Sequence, residues 1–312
     1  MNFEEFIDEW KSEVPYIKVK TSGSTGNPKE IKLDKEFVKK SALRTNDFFQ
    51  IHKDSHLYAC ISADTIGGKM MAVRAMLAEC NFSWENPSNQ PFKDNYKNEV
   101  YDLASVVPSQ MLYILDYPEK LNRIRRFLIG GSALHDDLKK KIEEAGIEAY
   151  ESYGMTETAS HIALRKIEAS EKPFKTFEDI SVCIDSRGCL IIDYEGGQRI
   201  ITNDLAEILS PSEFLIKGRI DDMIISGGKK INPYELEKKL TSIIPSEFVI
   251  ITRPDIKWGN RIVLKVEEKD FLKSDEQLIN EMKNILEPYE VPKEILRVRK
   301  LERNKGGKII RK

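Results

Sequence analysis

Four polar segments of this sequence have residue types and spacings that could do chemistry. The first is Thr21-Ser22-Gly23-Ser24-Thr25-Gly26-Asn27-Pro28-Lys29. Its glycines let backbone N–H groups close on an anion, its hydroxyls can cradle phosphate oxygens, and Lys29 adds a point charge. A Walker A loop would need glycine at Pro28 and Ser or Thr at Glu30, so that class of phosphate site is excluded. A flexible polar turn has the same composition. The second segment, Tyr150-Glu151-Ser152-Tyr153-Gly154-Met155-Thr156-Glu157-Thr158, places an aromatic face, a glycine, a hydroxyl and a carboxylate close together. That set suits a purine, a phosphate and a hard cation, although a buried tyrosine and a solvated glutamate are commoner. The third runs from Gly218-Arg219-Ile220-Asp221-Asp222 through Ser226-Gly227-Gly228-Lys229, where the double glycine also fits a plain hairpin turn. The fourth, Arg303-Asn304-Lys305-Gly306-Gly307-Lys308, also reads as a frayed basic tail.

The elements that must position these segments follow from periodicity. Phe3, Phe6, Ile7 and Trp10 predict an opening amphipathic helix, and Ile17-Lys18-Val19-Lys20 a strand leading into the first segment. Asp34 is placed to cap a helix built on Phe37, Val38, Ala42 and Leu43. Apolar runs at 57–62, 104–107 and 126–129 have strand length. A charged helix follows the last of these, with Asp136 or Asp137 near its start and Gly146 as its stop. Strands alternating with helices predict an α/β layer architecture. From 180 to 209 the chain turns β-rich. Asn232-Pro233-Tyr234-Glu235 then reads as a helix start, strands are expected at 248–252 and 262–267, and Ser274 with Gln277 opens a last helix. The change of pattern at Lys217–Gly218 divides the chain into an α/β domain at 1–217 and a small α+β domain at 218–312.

Composition narrows the classes. Of 312 residues, 49 are Lys or Arg and 51 Asp or Glu, a balance that argues against a nucleic-acid binder but not against small anions. The first ten residues are acidic and do not read as a signal peptide, and no apolar run approaches bilayer length. Cys60, Cys80, Cys183 and Cys189 form no CxxC pair and no zinc pattern, so the expectation is a cytoplasmic protein without membrane insertion.

Taken in order, the four segments resemble the adenylate-forming superfamily of acyl-CoA synthetases, adenylation domains and luciferases. Thr202-Asn203-Asp204 also stands where that family carries TGD, with Asn203 replacing the glycine. The resemblance covers nearly the whole chain and implies an adenylate-forming fold lacking its first subdomain, since only about twenty residues precede the phosphate loop. An acid pocket more open than usual, or one completed by a second chain in a homodimer, would follow.

Within the superfamily, Ala104–Gln110, Leu128–Leu134 and Thr158-Ala159-Ser160 look most like o-succinylbenzoate–CoA ligases of menaquinone biosynthesis. The family's histidine-containing motif is represented by Ser62–Lys69 without the histidine. The resemblance implies three small-molecule partners: a carboxylic acid, ATP with Mg2+, and coenzyme A. Lys308 would bridge carboxylate and α-phosphate, Glu157 would hold magnesium, and Thr156 would touch phosphate. Thr21, Ser22, Gly23, Ser24, Thr25 and Gly26, with Lys29, would wrap the β,γ-phosphates. Tyr153 and Gly154, with Gly131 and Ser132, would line the adenine site, while Asp204 and Arg219 would bind ribose. Asp221 would be a hinge that brings Ser226, Gly227 and Gly228 to the CoA thiol. Lys69 and Arg74 would meet the distal carboxylate of a dicarboxylic acid; for Arg74, a surface position with its stem over apolar ground reads equally well.

Overall fold

The computed structural model describes residues 2–20, 29–92, 99–168, 170–268, 273–303 and 309–311. The chain forms two compact units that divide between Ser181 and Val182. This division of mass lies at a different place from the change of pattern at Lys217–Gly218.

In the first unit, the opening helix is Phe3–Lys11, closed at its start by a reciprocal pair: Asn2 Oδ1 accepts from Glu5 N at 2.8 Å and Glu5 Oε2 from Asn2 N at 3.0 Å. Strand Tyr16–Lys20 pairs antiparallel with Glu30–Asp34, ending at the Lys20–Glu30 pair. The second of these strands was not expected from the sequence; its alternation is short and interrupted by charge. The connection between them, 21–28, lies outside the described residues, and with it Thr21, Ser22, Gly23, Ser24, Thr25 and Gly26. Asp34 caps helix Lys35–Phe49 as expected, accepting from Phe37 N at 3.0 Å.

The sheet of this unit runs in the order Phe174–Thr176, Ser160–Lys166, Glu148–Met155, Arg126–Ile129, Leu103–Val106, His56–Ala59, Asn81–Trp84. From Glu148–Met155 to Asn81–Trp84 the pairings are parallel; the first two strands are antiparallel. Its strands are apolar at consecutive positions because both faces are covered. Leu57, Ala59, Leu103 and Leu128 join one core with Val38, Ala42, Met70 and Met71, while Tyr58, Ala104, Phe127 and Ile129 join another with Met111, Leu138 and Ile142. Helix Asp136–Glu144 carries Asp136 and Asp137 in its first turn as expected, is capped by His135, and is followed by Gly146 at φ +65°.

The second unit opens with antiparallel strands in the order Ile180–Ile184, Cys189–Tyr194, Arg199–Ser210, Glu213–Arg219; the division of units falls within the first of them. A single 3-10 turn, Ile220–Asp222, leads to the hairpin Ile224–Ser226 with Lys229–Ile231. Gly227 and Gly228, at φ +55° and +76°, make the two-residue turn whose twist matches its strands. Asn232 caps helix Pro233–Leu240, and Ser274 and Gln277 form the expected reciprocal cap on Asp275–Ile285. These helices pack on a three-stranded sheet, Phe248–Asp255, Gly259–Glu267 and Glu294–Val298, around Leu236, Leu264, Leu278 and Met282.

Candidate active site

Glycines and hydroxyls gather at the carboxyl ends of two neighbouring parallel strands. Arg126–Ile129 and Glu148–Met155 pair in register to Ile129–Glu151, and beyond them lie Gly131 and Ser132 on one side and Tyr153 on the other. Carboxyl ends of parallel strands are where open α/β sheets bind ligands. Gly131 is at φ +93°, open to few other residues. Its loop is tied down by Glu151, a buried carboxylate that sequence reasoning passed over. Glu151 Oε1 accepts from Leu134 N at 3.3 Å, and Oε2 accepts from Arg165 Nε at 2.8 Å. A carboxylate directly before the expected purine site was visible in the sequence, but its partner lies on another strand.

The strand after Tyr153 makes a tight return. A Cβ on Gly154 would lie 2.1 Å from the Ser160 carbonyl oxygen, so no side chain fits there. Met155 N donates to Thr158 Oγ1 at 2.9 Å. Ala159 and Ser160 are left-handed at φ +51° and +83°, uncommon for non-glycine residues. Ser41 Oγ holds this turn by donating to Ala159 O at 2.7 Å. Thr156 is half-buried and Glu157 exposed at the tip. Among the described residues no cluster of three His, Cys, Asp or Glu could cage a metal. One exposed carboxylate instead suits magnesium, which is commonly held by one or two carboxylates plus substrate phosphates.

Lys69 and Arg74 lie on helix Ile66–Ala78, both about 1% exposed, so the surface reading of Arg74 is overturned. They meet different partners. Lys69 Nζ lies 3.3 Å from Glu9 Oε2 and 4.0 Å over the Phe6 ring. Burial pulls the Lys69 ammonium below its usual range, and Glu9 opposes that. Loss of the carboxylate in Glu9→Ala is expected to cost about 1–3 kcal/mol in urea denaturation, more than Lys69→Met, because a buried ammonium loses a carboxylate that offsets its desolvation.

Arg74 has a different environment. Its Nη2 approaches His161 Nδ1 at 3.4 Å and its Nη1 Met71 Sδ at 3.4 Å; Nε has no hydrogen-bond partner. Among the described residues no carboxylate pairs with it. His161 Nδ1 therefore accepts, and Nε2 faces Thr45 Oγ1 at 3.0 Å as donor. Burial, and then Arg74, hold His161 neutral, well below its ordinary pKa. Burial pushes the Arg74 guanidinium down to about 9.

In the second unit, Asp204 and Arg219 face each other across the Arg199–Ser210 and Glu213–Arg219 strands. Arg219 Nη1 donates to Asp204 Oδ1 at 2.7 Å, and Nη2 to Asp221 Oδ2 at 2.8 Å. Thr202 Oγ1 accepts from Asp204 N at 3.0 Å. Gly227 N donates to Trp258 O at 2.9 Å, and a Cβ on Gly227 would strike the Trp258 ring at 2.7 Å. Trp258, which periodicity did not single out, thus seats the Ser226-Gly227-Gly228 turn. Lys29 is exposed. Lys308 lies outside the described residues.

Residues 8–218 match the model of the AMP-binding enzyme family. The chain belongs to that family. A 2-succinylbenzoate–CoA ligase of Lactococcus lactis is 29% identical over 68% of this chain and 51% of its own length. A long-chain-fatty-acid–CoA ligase of Mycobacterium tuberculosis is 26% identical over 67% of this chain and 48% of its own. The chain thus spans about half the length of these two relatives. A solved acyl-CoA synthetase (AMP-forming)/AMP-acid ligase II-like protein from Dyadobacter fermentans is 29% identical, with a TM-score of 0.64 over 98% of this chain and 90% of that one. As in other members of the AMP-binding family, the fold is a mixed α/β one. No described helix is long and apolar enough to cross a membrane.

Proposed function

We propose that this chain is an AMP-forming acid–CoA ligase whose acid is an aromatic dicarboxylate of the o-succinylbenzoate type. In the first half-reaction a substrate carboxylate oxygen attacks the α-phosphorus of ATP, and pyrophosphate leaves. In the second the CoA thiolate attacks the acyl carbonyl, and AMP leaves. The work is positioning and charge neutralisation. Gly131, Ser132, Tyr153 and Gly154 would hold adenine, Asp204 and Arg219 the ribose, and Thr21–Thr25 with Gly26 and Lys29 the outer phosphates. Glu157 would hold magnesium, which neutralises phosphate charge, and Thr156 would touch phosphate. Lys308 would bridge the attacking carboxylate and the α-phosphate. Asp221 would be the hinge between 1–217 and 218–312, bringing Ser226, Gly227 and Gly228 to the thiol.

The observation that carries the substrate reading is Arg74. A buried guanidinium without a protein carboxylate among the described residues is costly unless an anion pairs with it, and a distal carboxylate is such an anion. Lys69, engaged by Glu9, supports the fold on this reading, so the distal carboxylate falls to Arg74. Pyrophosphate release with ATP, magnesium and o-succinylbenzoate, with and without CoA, is expected to exceed release with monocarboxylic aryl or fatty acids at least tenfold. Preference for a fatty acid would move the substrate to the class of the mycobacterial relative. Silence on every acid, with ATP still bound, would make the chain a non-catalytic nucleotide binder.

A further inference from the structure

Asn203 stands where the family's TGD has glycine, and its side chain has found work that glycine could not do. Its Nδ2 donates to both carboxylate oxygens of Asp221, at 3.2 and 3.1 Å. Its Oδ1 accepts from Arg187 Nη1 at 3.1 Å, which settles which way the amide faces. Arg187 is itself held: its Nε lies 2.8 Å from Asp185 Oδ2 and its Nη2 3.1 Å from Thr202 O. On the far side Asp221 takes Arg219, which also holds Asp204. A row of alternating donors and acceptors therefore runs Asp185, Arg187, Asn203, Asp221, Arg219, Asp204. Its middle link joins the strand Arg199–Ser210 to the single 3-10 turn Ile220–Asp222. Short 3-10 turns between elements are places where hinges occur.

We propose that Asn203 is a positioning residue that latches Asp221 and so sets the balance between the two half-reactions. The inference rests on the reading of Asp221 as hinge. Rotation about the Asp221 N–Cα bond swings its side chain relative to the strand Arg199–Ser210, so that component of the hinge motion is restrained while both carboxylate oxygens stay on the Asn203 amide. An amide is required on both counts: its oxygen takes Arg187, and its nitrogen gives to Asp221. Aspartate would keep the shape and the Arg187 contact while setting two carboxylates against each other. Glycine or alanine would leave Asp221 to Arg219 and water. Asp221 is exposed, so the latch is a bias and not a lock.

The test compares two rates in the full-length protein: ATP–pyrophosphate exchange with the acid, and thioester formation from supplied acyl-adenylate and CoA. Asn203→Ala is expected to shift the ratio of these rates about two- to tenfold, the range a net hydrogen bond of this kind supports. Asp221→Ala should shift it in the same direction, and the double variant no further than Asp221→Ala alone. Asn203→Asp should shift it at least as far as alanine, and less at high salt. A merely structural role would lower both rates together, with the melting temperature, and leave the ratio alone; that result overturns the latch, as would additive effects or opposite shifts. A ratio unmoved by Asp221→Ala removes the hinge reading itself. A ratio moved by Asp221→Ala but not by Asn203→Ala removes only the latch.

Discussion

Lys308→Ala is expected to slow adenylation about 100- to 1,000-fold, the usual cost of removing one group that neutralises transition-state charge. The same variant is expected to form thioester from supplied acyl-adenylate at close to the parent rate. The asymmetry follows from where charge builds up. Attack of a carboxylate on the α-phosphate brings two anions together, and a lysine between them acts only in that step. Thiolate attack on a mixed anhydride is assisted by AMP as a good leaving group and needs no such bridge. Pyrophosphate exchange measures the first half-reaction and CoA-dependent release of AMP from the supplied adenylate the second. Equal loss in both would end the assignment of Lys308 to one step and, with it, the alternation of the 218–312 domain.

Arg74→Met is expected to raise KM for a dicarboxylate about 30- to 100-fold while leaving the folded protein as stable as before or more so. Binding and stability separate here because of how Arg74 is placed. It is fully buried, lacks a carboxylate partner among the described residues, and has an unpartnered Nε. Burial pushes its pKa down to about 9, well below its ordinary value. Unfolded chains therefore hold this proton more tightly than folded ones. The resulting penalty on folding is complete below pH 9 and is relieved as pH rises above that value. At neutral pH the guanidinium destabilises the free protein, and an uncharged, unbranched methionine removes that penalty. Thermal melts should show the parent gaining from added dicarboxylate and the variant gaining little. A variant that loses stability and keeps its KM would show that Arg74 serves packing alone.

Much of the fold was legible because it rests on local physics. Asp34, Asn232 and Ser274 announce helix starts by the few orphan N–H groups a short polar side chain can reach, and Gly146 a helix end by the left-handed backbone it tolerates. The apolar runs at 57–62, 104–107 and 126–129 indicated strands, which the fold covers on both faces. Gly154 and the Gly227-Gly228 pair marked places where chain geometry excludes or disfavours a side chain, and the segments that resemble the adenylate-forming family are built on such residues.

What only the tertiary structure decided is how charged side chains pair across the chain. Lys69 meets Glu9, sixty positions away; Arg74 meets His161; Glu151 meets Arg165; Asn203 meets Asp221. Residues five apart on a helix point about 140° from each other and seldom share a ligand, a geometry that the sequence expectation of one carboxylate shared by Lys69 and Arg74 did not weigh. The identity of each partner was not in the spacing. A charge is satisfied by whatever the packed backbone brings within about 3 Å, and that proximity is set by strand order and helix seating rather than by neighbours in the chain. Local motifs, through their resemblance to a known family, thus indicated the class of protein, and periodicity indicated most of its elements. Folding determined which of its cations are already paired, as Lys69 is with Glu9, and which, like Arg74, have no carboxylate of the described protein to neutralise them.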